Sequence, residues 1–181
     1  MKRTAIALSV LLALGATSPA SAQSGTITFN GEVTSSTCEV TFPGAGASAG
    51  NDATITLPTV ATTALVAPGN TAGKTPVSVQ IGTAAVPCSA ASVALELNPN
   101  RNADQTGGRL NNLAANGANN VQVALRDAND AEIDLSTPWS SPRVDLTGGV
   151  ATVHFAGEYY ALGAATAGAV SSNVQYTLDY H

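Results

Sequence analysis

Apolar and polar residues alternate in short runs along most of the chain. GTITFNGEV, residues 25–33, places Ile27, Phe29, Gly31 and Val33 on one side. PVSVQI does the same with Val77, Val79 and Ile81, VALEL with Val93, Leu95 and Leu97, and VQVAL with Val121, Val123 and Leu125. ATVHF follows with Ala151, Val153 and Phe155, and NVQYTLDY with Val174, Tyr176, Leu178 and Tyr180. ATITL, residues 53–57, alternates Thr with small or apolar residues. A period of two marks a strand with one buried face. The pieces between, FPGAGASAGND, APGNTAGKTP, NPNRNADQTGG and STPWSSP, are rich in Gly, Pro, Asn and Asp and read as turns. No segment sustains a helical period with caps. Short strands separated by turn signals predict an all-β sandwich in one domain, without internal repeats or an interdomain linker. GAGASAG, residues 44–50, is a loop of low complexity.

The first 22 residues follow a different logic. Lys2 and Arg3 precede the apolar run AIALSVLLALG, which is too short to span a bilayer, and SPASA ends in small residues. This is the pattern of an export signal, with cleavage expected between Ala22 and Gln23. About 160 residues remain, the size of one domain. The net charge is −5 and becomes more negative once Lys2 and Arg3 are removed. That balance argues against nucleic acid and anionic membrane surfaces as partners. Charged residues make up only 10% of the chain, well below the usual quarter, which suits a surface covered by other copies of itself.

Cys38 and Cys88 are the only cysteines. In an exported chain a lone pair reads as one disulfide, closing a loop of about 50 residues and contributing roughly 4 kcal/mol. A zinc site is the alternative reading, disfavoured because no histidine stands near either cysteine.

Other candidate chemistry is thin. GASAG at 46–50 matches the G-x-S-x-G nucleophile elbow around Ser48, but that motif needs a helix after it, and here a strand-like segment follows. His154 sits between Val153 and Phe155 and is read as an exposed strand residue. DANDAEID gathers Asp127, Asp130, Glu132 and Asp134; Ala131 and a missing Gly spoil a calcium loop, so it reads as a solvated hairpin turn. Trp139 is read as a partly buried loop anchor, with ligand stacking as the alternative. Neither a cofactor nor a metal is expected.

The two ends of the chain carry the sharper signal. The alternation from Val174 to Tyr180 runs to the end of the sequence at His181, leaving a strand with an apolar face and no successor to cover it. Residues 25–33 are the complement, a strand without an evident home. Asn30-Gly31 could also close a local hairpin. The unbroken alternation and the uncovered last strand favour strand donation from one molecule to the next, a head-to-tail contact that builds an open filament.

At this point the chain resembles the pilin subunits of chaperone–usher fimbriae of the type 1 kind. The resemblance covers essentially the whole exported chain. It rests on the donor-like GTITFNGEV with Gly31, on Cys38 and Cys88, and most specifically on EYYALGAATAGAVSSNVQYTLDY with Gly168 and the penultimate Tyr180. The Cys38–Cys88 loop, with GAGASAG inside it, is longer than the family pattern, and little precedes Gly25. The resemblance implies an incomplete Ig-like β-sandwich lacking its final strand, with residues 23–35 as a donor-strand extension and 36–181 as the pilin domain. It implies a structural role without catalysis, export through the periplasm, and a fimbria on the cell surface that supports adhesion. The implied partners are a periplasmic chaperone, an outer-membrane usher, further copies of the chain, and tip adhesin or adaptor subunits. The chaperone would lend a strand beside Val174, Tyr176, Leu178 and Tyr180 and hold the carboxylate of His181. A receptor-binding minor or tip-adaptor pilin is the alternative role.

Overall fold

The computed structural model describes residues 38–46, 48–49, 51–98 and 102–181. The expected cleavage site (Ala22, Gln23) and donor residues Ile27, Phe29, Gly31 and Val33 lie outside the described residues. Among the described residues twelve strands follow one another: β1 (Val40–Thr41), β2 (Ser48–Ala49), β3 (Asp52–Ala53), β4 (Thr71–Ile81), β5 (Ser92–Asn98), β6 (Leu110–Asn111), β7 (Val121–Asp127), β8 (Glu132–Ile133), β9 (Trp139–Ser140), β10 (Val144–Asp145), β11 (Ala151–Ala161) and β12 (Gln175–Tyr180). A single 3-10 turn, Thr62–Ala64, is the helical element among the described residues. One sheet has the order β1-β4-β11-β7-β6, with β8 also on β7. The second has the order β10-β5-β12, with β9 also on β5. β2 and β3 form a separate ribbon. Every pairing is antiparallel.

The inner faces of the two sheets supply one core. Val79 and Ile81 of β4, Val93, Leu95 and Leu97 of β5, Leu125 of β7 and Val153 of β11 all belong to it. These are the in-facing members of the alternating runs, so the period of two in the sequence is the pleat of a sandwich. The all-β expectation holds, and the incomplete sandwich is consistent with the open strand described below.

Two segments depart from the sequence expectation. β4 begins at Thr71, well inside the stretch read as a turn. Ala72 pairs with Tyr159 and Thr75 with Gly157, so Gly73 and Lys74 together face Glu158. This is a β-bulge, and Gly73 takes the positive φ of 70° that it requires. Pro76 is tolerated because β1 covers only Ile81 and Gln80, leaving β4 an edge strand at that point. ATITL is strand only at its first residue, since β3 ends at Ala53. From Thr54 to Leu57 burial still alternates, but no ladder forms. Alternation reports one-sided burial there, and pairing needs a neighbour as well. The acidic stretch makes the solvated β7–β8 hairpin turn that the sequence suggests, with residues 128–132 exposed. Asp127 Oδ1 accepts from Asn129 N and Ala131 N, Asp130 pairs with Lys74, and Glu132 pairs with Arg109.

Cys38 and Cys88 are joined, with Cα atoms 5.1 Å apart, inside the range a disulfide spans. The bond ties the residue two before β1 to the β4–β5 connection. Replacing both cysteines with Ser is expected to lower the unfolding free energy by roughly 2–5 kcal/mol. Guanidinium denaturation of the folded subunit measures it; an unchanged midpoint would show that the loop closure contributes nothing.

Candidate functional site: the open edge of β12

β5 is paired on both sides, with β9 and β10 on one flank and β12 on the other. β12 is paired only with β5; among the described residues its second edge has no partner. The register sets Tyr176 opposite Leu97, Leu178 opposite Leu95 and Tyr180 opposite Val93. Leu97, Leu95 and Val93 are at most 1% exposed. Their partners share the same face, and Tyr176 and Leu178 the same core, yet these two are only half-buried and Tyr180 is 36% exposed. What distinguishes the two strands is the neighbour that β12 lacks.

β1 lies at the matching edge of the other sheet, and the chain just after it reaches across. The Phe42 ring meets Tyr176 edge-on, with centroids 5.7 Å apart. The Tyr176 hydroxyl donates to Asn51 O at 2.6 Å. Burial holds the Tyr176 and Tyr180 hydroxyls above the usual phenol pKa. Val40, Phe42, Val174, Tyr176 and Leu178 pack against the core from this side and stay partly exposed. An apolar groove therefore runs along an unpaired strand edge, and it can accept a further strand through backbone hydrogen bonds with alternate side chains pointing inward.

Val174, Tyr176, Leu178 and Tyr180 line up as the sequence pattern suggests, although Val174 precedes the ladder. His181 extends it: its N donates to Ser92 O at 2.9 Å, and its O accepts from Ala91 N at 2.6 Å and Ser92 N at 2.9 Å. Its ring lies beside Asp179, which also pairs with Arg143. Gly168 sits elsewhere, in the β11–β12 connection, where a Cβ would overlap Ala118 N and Gly117 C. Its place in the fold is a close approach between two loops, which Asn112 also clamps by donating to Ala118 O and Ala169 O.

The remaining candidates fall in plain roles. Ser48 belongs to the β2–β3 ribbon, so no helix follows it as a nucleophile elbow requires. His154 is exposed on β11, its Nδ1 3.0 Å from Ser78 Oγ. Trp139 is half-buried against the core, opposite Leu97. Sequence reasoning missed Glu158, which is 5% exposed and accepts from Arg126 Nε at 2.7 Å. That hydrogen bond raises the Arg126 pKa. Arg109 lies over the Tyr160 ring at 3.7 Å and pairs with Glu132. These groups form a polar belt on the β7–β8–β11 sheet, and the alternation of Gly157, Tyr159 and Ala161 gives no sign of it.

The type-1 fimbrial protein family model matches residues 57–181. The major fimbrial subunit SMF-1 of Stenotrophomonas maltophilia strain K279a is 37% identical over 173 residues, 90% of this chain and 95% of that protein. The F17 fimbrial protein of Escherichia coli is 36% identical over 176 residues, 94% of each chain. Among solved structures, the subunit of a chaperone–usher pilus superposes with a TM-score of 0.56 at 16% identity, covering 88% of this chain and 96% of that one. The open-edged sandwich thus defines a class, the pilins. Within it, this chain belongs to the type-1 fimbrial protein family and is a structural subunit of a chaperone–usher fimbria.

Two substitutions probe the packing of the loops at the start of β12 and of the opposite sheet. Gly168→Val should destabilise the subunit by about 1–3 kcal/mol, because backbone must move to admit the side chain. Arg126→Met should cost about 3 kcal/mol by leaving Glu158 buried without its partner, while Arg126→Met/Glu158→Met should recover most of the loss. Denaturant titration of each variant reads both effects; an Arg126→Met midpoint equal to wild type would place Glu158 outside any coupled pair.

Proposed function

We propose that the chain is a repeating subunit that polymerises by strand donation: residues 25–33 of one copy fill the β12 groove of the next. The open β12 edge carries this reading, because its in-facing residues stay half-exposed beside fully buried partners. Ile27, Phe29, Gly31 and Val33 are the inward positions of the donor. Residues 23–35 form the extension and 36–181 the acceptor domain, after removal of the first 22 residues.

Before assembly the same groove holds a strand lent by a periplasmic chaperone, which also engages His181. An outer-membrane usher exchanges it for the incoming donor. No nucleotide is required, since a looser complex gives way to a better packed one. The product is an extracellular fimbria that presents tip adhesin or adaptor subunits. The chain performs no catalysis of its own.

Gly31 provides the test. A side chain there would meet the groove floor, and overpacking costs about 1–3 kcal/mol or more. Gly31→Leu should give a normal yield of chaperone complex but few or no fibres. A normal yield with normal fibres would sink the groove-packing role. A low yield of complex would favour a local Asn30-Gly31 hairpin within the subunit's own fold.

A further inference from the structure

Four of the large apolar side chains left exposed lie at the two ends of the sandwich: Val66, Leu113 and Leu162 at one, Val86 at the other. The first three sit on loops that meet at the end where β12 begins. Leu65 O accepts from Ala165 N, Asn120 O from Leu162 N, and Ser171 O from Leu113 N, so residues 61–70, 112–120 and 162–173 form one face. These three loops contain no Lys, Arg, Asp, Glu or His. A small second core of Leu65, Ala118, Val121 and Ala161 lies beneath them. The face is therefore preformed and uncharged, with Val66, Leu113 and Leu162 exposed among Asn, Thr and Ser. Val86 projects from the β4–β5 connection at the disulfide end, within a second uncharged stretch, residues 82–90. Charges border that end: Glu39 accepts a hydrogen bond from Thr83, and Arg143 pairs with Asp179. An apolar centre inside a polar rim is the usual make-up of an interface.

We infer that these two faces are the two halves of one head-to-tail contact, the Val86 end of one copy stacking on the Val66–Leu113–Leu162 end of the next. This rests on the strand-donation reading, which fixes the geometry. Every pairing among the described residues is antiparallel, the more stable ladder, and an antiparallel donor on β12 would run so that its Val33 end lies toward the start of β12 at Gln175. Only residues 34–37 separate Val33 from Cys38, so their Cα atoms lie at most about 18 Å apart. Cys38 is bonded to Cys88, two residues from Val86. The donor copy's disulfide end is thereby brought to the end of the acceptor where β12 starts, the uncharged one. The two surfaces differ, so the contact propagates without closing.

Hydrogen exchange on purified fibres, relative to the unassembled subunit, reads the two layers separately. Residues 25–33 report strand insertion; residues 62–68, 113–117 and 83–87 report the end contact. The end segments should exchange about tenfold more slowly in fibres. Leu162→Lys and Val86→Lys should each abolish that slowing while 25–33 stays protected, and Leu162→Glu/Val86→Lys should restore it through an opposite-charge pair. Both positions are exposed, so the fold should tolerate the changes; circular dichroism confirms it. Protected 25–33 with end segments exchanging as in the free subunit overturns the end contact alone. Unprotected 25–33 in wild-type fibres overturns strand donation, and the end contact with it.

Discussion

A strand inside a sheet satisfies its N–H and C=O groups on both sides; among the described residues, β12 satisfies them only toward β5. The rest of the molecule is organised around that deficit. The core is complete where β4, β5, β7 and β11 enclose it and incomplete where β12 and β1 form the two lips. Tyr176 and Leu178 are half-exposed for this reason, although Leu97 and Leu95 beside them are sealed. An unpaired edge over an apolar groove is a liability in a soluble monomer, and it becomes an assembly element when a second chain can fill it.

The remaining architecture keeps the groove open and rigid. The disulfide anchors the start of β1 to the β4–β5 connection, holding one lip. The bulge at Gly73–Lys74 lets β4 stay paired with β11 along nearly its whole length. The Arg126–Glu158 bond and the Arg109–Tyr160 stack fasten the opposite sheet, away from the groove. Asn112 and the close approach at Gly168 lock the loops at the start of β12. Polar groups are spent on loops and on the outer sheet face, while the groove itself is lined by aromatic and aliphatic carbon.

A sparsely charged exterior fits the same economy, charged residues making up 10% of the chain. Most solvent-facing surfaces carry charge for solubility, and the proposed assembly, in which other copies cover the edge, would need less of it.

Much was legible in the sequence because a sandwich strand writes its buried face as a period of two. β5, β7 and β12 stand out through their alternation, and the lone cysteine pair gave its own bond. The uncovered last strand could be read from Val174, Tyr176, Leu178 and Tyr180 together. Tertiary structure alone decided what depends on neighbours across space. Thr71–Thr75 became strand because β11 lay opposite and a bulge absorbed the extra residue, whereas Thr54–Leu57 alternated without finding a ladder. Glu158 looked like an ordinary outward residue until Arg126 came to it from another strand. Gly168 reads as a motif residue in the sequence, and only the fold shows that it lies against Gly117 and Ala118. Periodicity records which side of a strand is buried; it cannot record which strand, charge or loop will be brought against it.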